Sequence, residues 1–185
     1  EIHVSTDSPL ITEKLKKKIK IKFIRPKYLS GDNVPLKKVF YFVLNKYQEI
    51  GYEFDELWFM SSCAPLIDAK DLIKASKFFS QNKKSFISVS KHPAPIEWAF
   101  EKNNKNKLTP VLIDKINTNS QKLKTSYYDS GLFGAFKTKI VKNNFRSFKN
   151  DFYAYEIPFY KAIDVDDIHD WKTLKFMYKA FKFNR

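Results

Sequence analysis

Near the C-terminus, Ile163-Asp164-Val165-Asp166-Asp167-Ile168-His169-Asp170-Trp171 places two carboxylates two positions apart among apolar side chains. If Ile163–Asp166 runs extended, Asp164 and Asp166 point to one face of the pleat, and Ile163 and Val165 to the other. Two carboxylates on one face repel. A hard divalent cation holds them together most readily, and Mg²⁺ takes one or two carboxylates along with phosphate oxygens. The same residues carry a second reading, in which Asp166 or Asp167 N-caps the next helix and Asp170 favours its first turn. Spacing alone leaves both readings open.

The elements that must present this pair can be read upstream. Ile2-His3-Val4-Ser5-Thr6-Asp7 reads as a short strand, and Ser8 or Asp7 caps a helix with Pro9 in its first turn, running to about Lys17. Ile19–Ile24 alternates as a strand that Arg25-Pro26 ends, because the residue before proline is pushed out of the α region. Leu36–Glu49 sets Val39, Phe40, Val43, Leu44 and Tyr47 at helical spacing and closes at Gly51. Glu56–Ser61 is a near-continuous apolar run that suits a strand buried on both faces of a parallel sheet. A helix from Asp68 to about Gln81 and a strand over Phe86–Ser90 follow. Residues 91–150 break this rhythm and read as a β-rich arm with loops within a single domain of 185 residues. After them come an extended Tyr155–Ile163 and a helix over Asp167–Phe181. Strand and helix alternating in this way predict an α/β fold with a mostly parallel sheet, right-handed crossovers and helices on both faces. In such sheets ligands sit beyond the strands' C-terminal ends, where the paired carboxylates fall.

Composition narrows the function classes. At 43% hydrophobic the chain has ample core material, and its longest apolar runs are far below the roughly 20 residues of a membrane span. No membrane partner is expected. Cys63 is the only cysteine, which excludes an intrachain disulfide and a thiolate zinc site and fits a reducing, cytoplasmic setting. A net charge of +14 would ordinarily suggest nucleic acid, but the cations are scattered and all but Arg25, Arg146 and Arg185 are lysine. The dense run Lys14–Lys22 reads as a helix end leading into an alternating strand, so no nucleic-acid partner is expected. His3, His92 and His169 have no acid or thiol at triad spacing.

Several stretches, taken in order, resemble the acylneuraminate and pseudaminic acid cytidylyltransferases, enzymes that join a nine-carbon sugar acid to CMP. They are Val4-Ser5-Thr6-Asp7, Arg25-Pro26-x-x-Leu29-Ser30-x-Asp32, Cys63-Ala64-Pro65-Leu66 with Asp71-Leu72, Ser88-Val89-x-x-His92-Pro93-x-Pro95-Ile96, Tyr128-Asp129-Ser130-Gly131-x-Phe133 and Ile163-Asp164-Val165-Asp166-x-x-x-Asp170-Trp171. The two prolines after His92 and the Asp-Ser-Gly-x-Phe turn look most like the pseudaminic acid branch. The resemblance implies a Rossmann-like fold with a dimerisation arm, and a homodimer that uses CTP and a nine-carbon sugar acid with Mg²⁺. It implies Asp164 and Asp166 as catalytic metal ligands. It further implies Arg25, Asp32 and Val34 on the nucleotide side, with Arg25 also catalytic, and Cys63, His92, Asp129, Gly131 and Phe133 on the sugar side. Arginine at a strand exit suits bidentate phosphate contact on chemical grounds as well.

Departures from the family pattern stand at Cys63, usually Thr, at Val34 and Leu36, usually hydroxyl residues, and at Leu132 and Gly134. The family's glycine-rich triphosphate loop is not found among the four glycines Gly31, Gly51, Gly131 and Gly134. By the resemblance this implies an N-terminally incomplete chain, about 40 residues short and inactive as it stands. The alternative functions are a catalytically inactive sugar-nucleotide-binding relative and a cytidylyltransferase for another sugar acid such as a ketodeoxy-octonate.

Overall fold

The structure, a computed structural model, describes residues 1–142 and 152–183, the last two by backbone only. The end of the sequence-based arm, residues 143–150, lies outside the described residues. The described residues form two compact units, residues 1–57 with 136–142, and residues 58–135 with 152–183.

In the first unit α1 (Pro9–Leu15) starts where expected, with Ser8 Oγ accepting from Ile11 N at 3.5 Å and proline in the first turn. α2 (Leu36–Glu49) matches its periodicity and buries Val39, Phe40, Leu44 and Tyr47. Gly51 closes it at φ +83°, a backbone conformation that costs glycine nothing. Against α2, Phe40 meets Phe136 at 5.7 Å, while α4 (Thr138–Lys142) is tied down by Thr138 Oγ1 donating to Phe54 O at 2.6 Å.

The strands expected at residues 2–7 and 19–24 are not formed. These segments share the backbone bond Arg25 N to Thr6 O at 2.8 Å and the His3–Phe23 stack at 4.4 Å. Side-chain packing holds them, and two short strands without further neighbours are marginal as a ladder.

The second unit is built around a four-stranded sheet in the order β1 (Glu56–Met60), β5 (Tyr127–Lys137), β2 (Phe86–Lys91), β6 (Tyr153–Glu156). The α/β class holds, with a mixed sheet: β2 runs parallel to β6 and antiparallel to β5. β5 lies within residues 91–150, so part of that region is an interior strand of the sheet. The remainder includes a small hairpin of β3 (Phe100–Lys102) and β4 (Leu108–Pro110). β1 sits at the edge and is only half-buried on alternate residues, not covered on both faces as its apolar run predicts.

α3 (Ala69–Asn82) packs Ala75 and Phe79 into a core with Phe86, Leu132, Phe133, Ala135 and Ile157. The extended segment expected over Tyr155–Ile163 is shorter than read. β6 ends before Pro158, and a 3-10 turn occupies Phe159–Lys161. Ile163–Asp166 is not a strand, and α5 (Ile168–Phe183) follows it with Leu174 buried.

Candidate active site

Ser88 in β2 and Ser130 in β5 organise the pairing of these two strands. Ile87 pairs with Gly134 and Val89 with Asp129, so Ser88 alone faces Ser130-Gly131-Leu132-Phe133, a bulge in β5. Ser130 Oγ donates to Ser88 O at 2.9 Å, the two hydroxyls share a bond of 2.6 Å, and Ser88 Oγ accepts from Phe133 N at 3.1 Å. Taken together, Ser130 donates to the carbonyl, Ser88 donates to Ser130, and the bulge's free N–H finds Ser88 Oγ. Both serines are buried, and the network leaves none of these groups unsatisfied. The sequence signal was present as serines at positions 88 and 90 of an otherwise apolar strand, but their role was not read from it.

The bulge leaves Asp129 and Gly131 exposed on either side of the buried Ser130. Asp129 Oδ1 accepts from Gly131 N at 2.9 Å, and Gly131 sits at φ +66°. A Cβ at Gly131 would lie 3.4 Å from Asp164 Oδ2, so the turn runs alongside that carboxylate, and it is the positive φ that calls for glycine. The structure thus brings Gly131 to Asp164, with Asp129 bonded to the Gly131 N–H.

Asp164 and Asp166 are exposed, in a segment that is not part of a strand, and their pairing is not the consequence of a pleat. Asp164 Oδ1 accepts from Val165 N at 3.1 Å. Partial burial and the Asp166 charge push the Asp164 carboxyl above the usual carboxylate range, with Asp170 adding to this and the Val165 N–H opposing it. The capping chemistry falls to the next aspartates. Asp167 Oδ1 accepts from His169 N at 2.6 Å and Asp170 N at 3.0 Å, while Asp170 Oδ2 accepts from Asp166 N at 3.1 Å and Asp167 N at 3.0 Å. The helix-capping reading is therefore satisfied by Asp167 and Asp170, and the Asp164 and Asp166 side chains are not needed for it.

The other sugar-side positions are scattered in role. Cys63 is half-buried, its N–H bonded to Ser61 Oγ at 3.1 Å, with Ser62 Oγ 3.9 Å from its sulfur. His92 sets its ring edge-on to Tyr128 at 5.2 Å and donates its backbone N–H to Ser126 O at 3.0 Å. Phe133 is a core residue, 3% exposed and packed on Phe86 and Tyr155.

Arg25, Asp32 and Val34 belong to the first unit. Arg25 Nε donates to Ser30 Oγ at 3.1 Å, Ser30 Oγ donates to Pro26 O at 3.1 Å, and one Arg25 amino nitrogen lies 3.9 Å from Asp7 Oδ1. The side chain is thereby held in the loop that carries Asp32, which is exposed, and Val34, which is half-buried.

Among the described residues no three His, Cys, Asp or Glu side chains form a cluster that could hold a metal ion.

No family model matches the chain. It is 27% identical over 177 residues to the pseudaminic acid cytidylyltransferase of Campylobacter jejuni subsp. jejuni serotype O:2, covering 95% of this chain and 76% of that protein. The enzyme of the same name from serotype O:23/36 is 26% identical over the same extent. The fold is similar to that of a CMP:2-keto-3-deoxy-manno-octonic acid synthetase solved with CTP, at a TM-score of 0.56 and 11% identity, covering 85% of this chain and 72% of the other. The chain is thus similar in sequence, along nearly its whole length, to two pseudaminic acid cytidylyltransferases, and similar in fold to a CMP-sugar acid synthetase.

Proposed function

We propose that the protein activates a nine-carbon sugar acid of the pseudaminic type with CTP, the anomeric hydroxyl attacking the α-phosphate and pyrophosphate leaving. The observation that carries this reading is the Asp164–Asp166 pair beside the Gly131 turn, in a chain whose relatives over 95% of its length are pseudaminic acid cytidylyltransferases. Asp164 and Asp166 fit a Mg²⁺ ion, since they are exposed, repel one another and have no part in capping α5. Bound there, the ion would neutralise charge on the phosphates and the departing pyrophosphate. The chain's own part is to present the two carboxylates, to keep the Gly131 backbone, bonded to Asp129, beside Asp164 on the sugar side, and to offer the Arg25 guanidinium to phosphate oxygens.

Cytoplasmic residence and a homodimer complete the proposal. With four glycines and no glycine-rich run, these 185 residues on their own are expected to be inactive. The test is an assay of the protein in its natural full length with CTP, Mg²⁺ and a panel of pseudaminic, sialic and ketodeoxy-octonic acids, following pyrophosphate. Release with pseudaminic acid above the others supports the reading, release with another acid reassigns the sugar, and silence with every acid overturns it in favour of a binding relative.

A further inference from the structure

We propose that Lys161 is a positioning residue that sets the Asp164–Asp166 pair in place through an ion pair with Asp71. The inference deepens the proposed function and rests on that reading for the role of the two carboxylates.

Lys161 Nζ lies 2.6 Å from Asp71 Oδ2, with only 14% and 17% of the two side chains exposed. A lysine so withdrawn from water needs a partner, and its charge-assisted bond is strong because the surroundings are dry. Asp71 is itself immobilised. Its Oδ2 also accepts from Asp68 N at 3.0 Å, and its N–H is held by Asp68 Oδ1 at 3.1 Å, the two halves of the capping box of α3. Tyr155, whose ring packs on Phe86 and Phe133, donates its hydroxyl to Asp71 O at 3.5 Å. Burial and the Asp71 charge together push the Tyr155 hydroxyl above its ordinary range.

Lys161 closes the 3-10 turn, and Asp164 follows three residues later. After Ala162 N bonds to Phe159 O at 3.0 Å, the chain joins no ladder until the capping box of α5 takes Asp166 N. The segment carrying the two carboxylates is therefore pinned at its downstream end by Asp170 and at its upstream end by Lys161. Lys161 itself lines a cavity of about 290 Å³, together with Leu66, Asp68, Tyr178 and Phe181 among others. Without the Asp71 bond the ammonium has room to swing aside, and residues 162–166 lose their upstream anchor.

The experiment uses the protein in its natural full length and the variants Lys161→Met, Lys161→Arg and Asp71→Asn. Backbone ¹⁵N order parameters and Mn²⁺ titration are measured on each. In the unaltered protein residues 162–166 are expected near 0.8, and in Lys161→Met and Asp71→Asn below about 0.6, with β2 and α3 unchanged. Mn²⁺ affinity should fall about tenfold in the same variants and recover in Lys161→Arg. Order parameters at 162–166 that do not move, or that fall uniformly across β2 and α3 as well, overturn the positioning role. An unaltered protein that binds no Mn²⁺ sinks the metal reading of Asp164 and Asp166, and the order parameters then decide the tether by themselves. Should Lys161→Met fail to fold, Asp71→Asn carries the same comparison.

Discussion

At the scale of single residues, Asp164 carries the most specific expectations. Its carboxyl is held above the ordinary aspartate value of 3.8 by partial burial and by the charge of Asp166. The folded state therefore keeps that proton at pH values where the unfolded chain has released it. In the window just above 3.8 the native state binds more protons, so this group makes stability fall as pH rises, and its cost is complete once the folded carboxyl has ionised. Asp164→Asn should accordingly melt at the same or a slightly higher temperature at neutral pH and lose the added slope above pH 3.8. In the natural full-length protein it should also abolish CTP turnover, because a neutral amide is a poorer ligand for a hard cation. Normal turnover would refute the metal assignment. Arg25 makes a second test: Arg25→Lys replaces a planar fork with a point charge and should raise the Michaelis constant for CTP about tenfold while leaving that for the sugar acid near its original value. An unchanged CTP constant would reduce Arg25 to the Ser30 and Asp7 contacts that hold its loop.

At the scale of elements, the start of α5 and the bulge of β5 do different work within a few residues of the same carboxylates. Asp167→Ala removes the acceptor for His169 N and Asp170 N and should cost about 1 kcal/mol in chemical denaturation. That loss belongs to the helix terminus, whereas Asp166→Asn should leave stability nearly untouched and turnover absent. Equal stability losses in the two variants would mean that Asp166 caps α5 after all. The bulge is kept in shape by the Ser88–Ser130 pair, which satisfies an N–H that the interrupted β2–β5 ladder would otherwise leave buried and unpaired. Gly131 then supplies the positive φ of the turn that runs alongside the Asp164 side chain.

At the scale of the whole molecule, the region between β2 and β5 leaves Ile96, Trp98, Phe100, Leu108, Leu112 and Ile113 exposed. Apolar side chains gathered on one hairpin and its flanks call for a covering surface, and a second copy of the chain is the expected one. Light scattering should give a homodimer at micromolar concentration, and monomer alone at tens of micromolar would sink that expectation. No helix among the described residues is long and apolar enough to cross a membrane.

What the amino-acid sequence determined by itself was what local chemistry writes into adjacent residues. The period of apolar side chains in α2, the capping aspartate of α3, the proline at the start of α1 and the strand over Phe86–Ser90 all depend on neighbours a few positions away, and each appears where it was read. The order of short motifs likewise pointed to the cytidylyltransferases before any geometry was known. Only the tertiary structure decided the rest. β5 became an interior strand because β2 needed an antiparallel neighbour, a choice made by residues some forty positions apart. The segments at 2–7 and 19–24 formed no strands, since alternation supplies a face but not a ladder. The carboxylates of Asp164 and Asp166 owe their places to the cap of α5 at one end and the turn after β6 at the other, and Gly131 meets Asp164 across a bulge that buried serines hold open. Contacts between groups so distant in the chain leave no period or spacing to read, because what selects them is the packing of the finished core.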